Sequence, residues 1–433
     1  MTLPVLILAA VIGISSAGAA WAQAPTPITL SDAIAKAMET SHQLAEARAR
    51  QEGAEAAVQV QRVADQPTLS VGGGYTRTNH VDQFFVPAPI GPPRLIYPDL
   101  PNNYFTHASF QWPIYSGGRF DALERAAAAE ARASAEDVAT ARADLRLEVV
   151  RVYWALATAG ESVRVLEEAV ARADAHLRDV RARFDAGLIP PNDVSSVEAQ
   201  RSREELQLIE ARNIRQSLVE DLKRLTGLSD DLSIAERLDA SSGAPAETGT
   251  PPVNRSEQRA IAERLTAADE RIRGIESGRR PTLAVAGGAD YANPNPKIFP
   301  REEKWQPSWE LGVNVNWTLW DGGRIDASVA EAAAARKALR ERQADLDLQI
   351  ATDIRQRQLD LDSALASLTA ASDGARSAAE ARRVVAERFN VGVATNTEVL
   401  DAQYALLQAD LDRTRALANI KLAEARLDRA LGR

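Results

Sequence analysis

One octapeptide occurs twice in this chain. Trp112-Pro113-Ile114-Tyr115-Ser116-Gly117-Gly118-Arg119 reads against Trp317-Thr318-Leu319-Trp320-Asp321-Gly322-Gly323-Arg324. The spacing that relates them, 205 residues (112 to 317), also relates Arg183-Phe184 to Arg388-Phe389, Gly187 to Gly392, Val194 to Val399 and Gly227 to Gly432. A single spacing that holds without a gap over so long a stretch marks two copies of one supersecondary plan. Pro67-Thr68-Leu69 and Pro281-Thr282-Leu283 extend the match upstream at a spacing of 214 (67 to 281), so the loop between has changed length. The first copy covers 23–227 and the second 255–433. A Ser/Gly/Pro/Thr-rich connector, 228–254, joins them.

Each copy reads as helix, strand, loop, strand, very long helix, turn, returning helix. Ser31 is the expected N-cap of a first short helix. The strands are expected at about 69–78 and 104–115, and again at about 283–292 and 308–320. The last is the clearest: Trp309, Leu311, Val313, Val315, Trp317 and Leu319 alternate with Glu310, Gly312, Asn314, Asn316 and Thr318, the period of a strand with one apolar and one polar face. The long helices, 119–186 and 324–391, contain no proline. At a rise of ~1.5 Å per residue each would be about 100 Å long. The returning helices are expected at 193–226 and 398–431. Helices of that length cannot be buried in one globular core and must pair as coiled-coil hairpins, for which their many alanines allow close approach.

The strands carry the aromatics. Of the six tryptophans beyond residue 22, Trp112, Trp305, Trp309, Trp317 and Trp320 lie in or beside them, and Tyr75, Tyr104, Tyr115 and Tyr291 join them. Aromatics at the ends of an apolar strand band form the interfacial girdles of membrane barrels; Trp112, Tyr115, Trp309, Trp317 and Trp320 are the expected girdle. About eight strands are needed before a barrel can close and be filled, and lipid does not tolerate open edges. Four strands per chain therefore imply that several chains share one barrel.

The rest of the sequence excludes. There is no cysteine, hence no disulfide frame, thiolate metal site, cysteine nucleophile or lipidated N-terminal cysteine. The net charge of −9 does not suit a nucleic-acid binder. His42, His80, His107 and His176 are scattered without ligand spacing. Gly72-Gly73-Gly74 lies in a strand with no Lys-Ser/Thr after it, so it is no phosphate loop. No catalytic order, cofactor fingerprint or metal motif is found, and an enzyme is not expected. Residues 1–22 read as a secretory signal, an apolar run and then small residues with cleavage between Ala22 and Gln23, rather than as an uncleaved membrane anchor, against which Gly13, Gly18 and the serines stand. The run has no Lys or Arg near Met1.

With these features in order and in duplicate, the chain resembles the TolC-like outer-membrane efflux protein family. The resemblance rests on the Tyr-Ser-Gly-Gly-Arg and Trp-Asp-Gly-Gly-Arg junctions and on two hairpin turns, 183–194 and 388–403, and covers nearly the whole chain after residue 22. It implies a mainly α protein with membrane β: a homotrimer with a shared twelve-stranded transmembrane barrel continued by a periplasmic α-barrel. An equatorial region would come from the connector and the chain ends. It also implies an exit duct of a tripartite efflux or type I secretion system. The implied partners are a periplasmic membrane-fusion adaptor, an inner-membrane transporter and outer-membrane lipid. A rival reading is a periplasm-spanning coiled-coil tether without a pore, which would need no polar strand face.

By the same resemblance Glu398 and Asp401 match the acidic pair that narrows the periplasmic end, with Phe389 at the constriction. Three residues apart, the acids share one helix face, and symmetry would stack them as carboxylate rings. A plain helix start accounts for Glu398 equally well, since Thr395-Asn396-Thr397-Glu398 fits a capping box. Gly187, Leu188 and Ile189, with Gly392, Val393 and Ala394, match the apolar tips that meet the adaptor. Ala394 departs from a basic residue that some members tie to an acid matching Asp193.

Overall fold

A computed structural model describes residues 26–229, 232–236 and 254–433. The signal segment with Ala22 and Gln23, and most of the connector, lie outside the described residues. The chain is mainly helical and divides into two compact units.

The strand-bearing unit is built from residues 41–148, the described part of 243–367, and 419–433. Helix α2 (His42–Arg62) is followed by β2 (Thr68–Arg77), a small hairpin β3 (Phe84–Val86) and β4 (Arg94–Tyr97), then β5 (Asn102–Tyr115). The second copy supplies α5 (Ser256–Glu276), β7 (Thr282–Asn293) and β8 (Gln306–Asn316). One antiparallel sheet results, in the order β2-β5-β7-β8, so β2 and β8 are its edges.

Register sorts the side chains onto two faces. Leu69 lies opposite Phe110, Trp112 opposite Val285, and Val285 opposite Val313. Leu69, Val71, Leu311, Val313 and Val315 on this apolar face are exposed. The other face carries Ser70, His107, Ser109, Asp290, Ser308 and Glu310. A large uncovered apolar face marks a surface meant for lipid or another protein. At its loop end Tyr75, Tyr104, Trp305 and Tyr291 form a continuous aromatic row, with ring centroids 4.9, 6.3 and 5.0 Å apart in turn.

The last strand is shorter than its alternation suggests. It ends at Asn316, which pairs with Thr282, the first residue of β7. Before Thr282 the chain is a 3-10 turn, Ser277–Arg279, which offers no strand edge to residues 317–320. Trp317 and Trp320 are therefore off the strand. The Trp317 indole instead donates to the Arg279 carbonyl at 3.1 Å, and Trp320 stands free in solvent. The β3–β4 hairpin has no counterpart in the sequence reading, because its short, proline-flanked strands carry no periodicity long enough to register.

Strand gives way to helix at the glycine pairs. Gly117, Gly118, Gly322 and Gly323 all have positive φ, which an L side chain adopts at a cost of about 1–2 kcal/mol. From these turns start α3 (Arg119–Asp185) and α6 (Arg324–Asn390). Each carries one interior glycine, Gly160 and Gly374, without a break, although an interior glycine costs ~1 kcal/mol relative to alanine. The two junctions are not equivalent. A Cβ on Gly117 would meet the Ser277 carbonyl and the Arg280 Cβ at 2.9 Å, whereas one on Gly322 meets nothing within 4 Å.

The hairpin unit holds residues 26–40, the described part of 149–242, and 368–418. Helix α1 (Leu30–Thr40) is capped by Thr29, whose hydroxyl accepts the Asp32 N–H at 3.2 Å. Ser31 sits inside the helix rather than at its cap. A parallel pair, β1 (Thr26–Ile28) with β6 (Leu232–Ile234), is tied to α3 by the fully buried Tyr153, whose hydroxyl donates to the Ile28 carbonyl at 3.1 Å. Burial pushes the Tyr153 pKa up to about 12. Helix α4 (Pro191–Thr226) opens with proline at its first position, where no N–H is needed. Helix α7 (Asn396–Ala430) is its counterpart.

Gly117→Ala is expected to lower the unfolding midpoint of detergent-solubilised protein well below that of Gly322→Ala. Both variants bear the left-handed strain, but only the first forces a methyl against main chain. Equal midpoints by circular dichroism would show that the Ser277 contact yields without cost.

Candidate functional site

Both helical hairpins turn in the same way. At the end of α3 the Gly187 N–H donates to the Phe184 carbonyl (2.8 Å) and the Leu188 N–H to the Arg183 carbonyl (2.9 Å). At the end of α6 Gly392 donates to Phe389 (3.0 Å) and Val393 to Arg388 (2.8 Å). This is the Schellman arrangement, with the left-handed glycine that it requires. It aims the residue after each glycine outward: Leu188 is 74% exposed and Val393 66%, with Val391 exposed beside them. The following residue turns inward. Ile189 packs against the hairpin core, and Ala394 is buried in it. Of the six expected tip residues, Ala394 is thus withdrawn from the surface and Ile189 half withdrawn. A helix about to reverse must lay the residue after its turn against the partner helix.

Phe389 goes the same way. Its ring is buried with Leu177, Val180, Val197, Ala394 and Val399, 5.3 Å from the His176 ring and 4.3 Å beneath the Arg183 guanidinium. It does not stand on an open face beside Glu398 and Asp401. Those two acids are exposed on the first turns of α7. Glu398 forms the capping box: its Oε2 accepts the Thr395 N–H at 2.7 Å and hydroxyl at 3.1 Å, while its own N–H donates to the Thr395 hydroxyl at 3.3 Å. The Thr395 main-chain bond holds the Glu398 carboxyl below the usual range, so it is ionised. Among the described residues no hydrogen bond or ion pair engages the Asp401 side chain, so it takes no part in the cap.

Two polar staples that the sequence did not single out join the first hairpin to the second. The Arg183 Nη1 donates to the Phe389 carbonyl at 3.0 Å, and Nη2 to the Asn390 Oδ1 at 3.4 Å. His176 is buried, with its Nε2 2.9 Å from the Asn396 Oδ1, and the Asn396 Nδ2 donates to the Asp193 main-chain carbonyl at 3.2 Å. Asp193 thus engages the second hairpin through its backbone rather than through its carboxylate. The duplication held the one available signal: Arg183 recurs as Arg388, within each turn motif. A lone histidine gives none.

Burial holds the His176 pKa below its ordinary 6.5. Arg183 and Arg382 act in the same direction, while the Asn396 bond and Asp179 oppose. An imidazole that binds its proton less well folded than unfolded leaves stability intact above pH 6.5 and erodes it as pH falls below. Melting of the wild type should therefore fall with acidification below about pH 6.5, and His176→Gln, which keeps a donor for Asn396, should lose that part of the decline. Parallel pH curves for the two proteins would assign the decline elsewhere.

A sheet with one apolar and one polar face, together with long paired helical hairpins, is the architecture of outer-membrane ducts. The chain belongs to the outer membrane efflux protein family, whose profile matches residues 33–228 and 253–433. It is 25% identical over 439 residues to the outer membrane protein TolC of Vibrio cholerae, covering 99% of this chain and 95% of that protein. It is 26% identical over 338 residues to the cobalt-zinc-cadmium resistance protein CzcC of Cupriavidus metallidurans, covering 75% and 77%. Its fold is similar to that of CusC (TM-score 0.79, 14% identity, 93% of this chain and 92% of that one). The outer membrane protein VceC of Vibrio cholerae is similar too (TM-score 0.75, 18% identity, 93% and 96%). Proteins of this family are outer-membrane transport ducts with a large periplasmic portion, not enzymes.

Proposed function

We propose that three copies of this chain close one transmembrane barrel and serve as the passive exit duct of a tripartite efflux or type I secretion system. The observation that carries the reading is the four-stranded sheet with two unpaired edges and opposite faces. In lipid an edge must find another edge, and twelve strands exceed the eight or so at which a barrel begins to hold a lumen. The apolar face then meets lipid, with the aromatic row and Trp112, Tyr115 and Trp309 at its borders. The polar face lines the pore. A tether would have no use for that face.

At the periplasmic end Glu398 and Asp401 form stacked carboxylate rings that narrow the duct and bind cations. Leu188 and Val393, the exposed tip side chains, dock on a periplasmic adaptor that joins the duct to an inner-membrane transporter. The Arg183 and His176 staples hold the two hairpins of each chain together. They stand in for the link that Ala394 cannot make.

Single-channel conductance of the purified oligomer in a planar bilayer tests the duct. A small conductance is expected, blocked by divalent cations and enlarged in the Glu398→Ala/Asp401→Ala double variant. Conductance indifferent to the double variant would leave both acids as helix-start residues, and well-folded oligomer without conductance would favour the tether. Charge at the tips, as Leu188→Glu with Val393→Glu, should abolish export while outer-membrane assembly persists. Undiminished export would remove tip docking.

A further inference from the structure

The loop between β7 and β8 is folded, not slack. Asn295 is fully buried at its root. Its Nδ2 donates to the Gln306 carbonyl (2.9 Å) and the Ser308 hydroxyl (3.0 Å), and its Oδ1 accepts the Lys297 N–H (2.9 Å). These three bonds turn the segment 294–300 back over the sheet, onto the polar face rather than the apolar one. There the Lys297 Nζ lies 2.8 Å from the Asp290 Oδ2 and 3.0 Å from the Glu310 Oε2. The other Asp290 oxygen is 2.6 Å from the His107 Nδ1. One lysine from the loop therefore joins a hydrogen-bonded polar row that runs over β5, β7 and β8. Beyond the segment, the Arg301 Nη1 donates to the Tyr97 hydroxyl at 3.3 Å, and its guanidinium lies 5.5 Å from that ring, so the same loop also grips the β3–β4 hairpin.

Surface ion pairs on their own contribute little to stability, and stabilising a loop would not require them to face inward. Their placement is the informative part. The loop lies at the strand ends opposite Gly322-Gly323, away from the start of α6, and its cation is set over the face that carries the sheet's polar residues. A fixed charge at a constriction selects among permeating ions.

We propose that the segment 294–300 is a strap across the outer mouth of the duct, and that Lys297 is both its pin and a specificity-determining residue for what passes. The proposal rests on reading the polar face as the lumen. Three copies would set three straps around one opening. With Lys297 in place, one of the two carboxylate charges of Asp290 and Glu310 is offset and the strap stays down. Without it, two uncompensated carboxylates per chain face the lumen and the strap is held by Asn295 and, beyond the segment, by the Arg301 contact with Tyr97.

The test is conductance and reversal potential of the purified oligomer under a potassium chloride gradient. It is made in the Glu398→Ala/Asp401→Ala background, so that the periplasmic end does not mask the outer one. Lys297→Gln should raise conductance and shift the reversal potential toward that of the cation. Lys297→Arg should retain both parental values. Asn295→Ala, which frees the root without removing charge, should raise conductance with a smaller shift in selectivity. Assembly on native gels confirms that each variant is folded. Parental conductance and reversal potential in Lys297→Gln would overturn the strap while leaving the duct standing. A parent protein that forms no channel at all would remove the duct, and the strap with it, before any Lys297 variant is read.

Discussion

The unpaired edges of a four-stranded sheet are the constraint on which the rest of this molecule depends. An edge strand presents a row of free N–H and C=O groups, and β2 and β8 do so while one face of the sheet exposes Leu69, Val71, Leu311, Val313 and Val315. Water would satisfy the edges but not the face, and lipid the face but not the edges. The proposed closure with further copies would satisfy both. Two strands from each copy of the repeat supply that sheet.

The hairpins answer a different problem. Long helices rich in alanine bury little apolar surface per turn, so their alignment depends on a few well-placed contacts. Among the described residues of the hairpin unit these include two apolar clusters, one around Leu166, Leu208 and Leu407, the other around Val180, Val197 and Phe389. Beside the second lie the His176–Asn396 and Arg183–Phe389 staples. The ion pairs along the helices, such as Arg164 with Glu161 and Arg383 with Glu380, support each helix locally. Exposed pairs of this kind contribute little to how one helix finds another.

Much of this was legible because repetition and period are one-dimensional properties. The 205-residue spacing set the order of the elements. The alternation of Trp309 to Leu319 announced a two-faced strand, and the glycines at 187 and 392 announced turns. Other positions departed from the local pattern. Trp317 and Trp320 continue the alternation, but the neighbouring chain has become a 3-10 turn and no edge remains to pair with. Ala394 and Phe389 belong to the turn motifs, yet the reversal of the helix turns them into the core. Ser31 looked like a cap, but Thr29 stands where the helix begins.

The sequence by itself determined the class of the protein: its duplicated plan, its membrane-suited strands, its long helices and the absence of any thiol or catalytic order. These follow from residue type and spacing, which a chain carries before it folds. Tertiary structure alone decided which side chains face outward and which atoms meet across distant segments. It placed Leu188 and Val393 outside and Ala394 inside, brought His176 to Asn396 across 220 residues of chain, and set Lys297 over Asp290 and Glu310. Such pairings depend on register and on where a neighbour ends. No local pattern encodes these, because they exist only once the elements have packed.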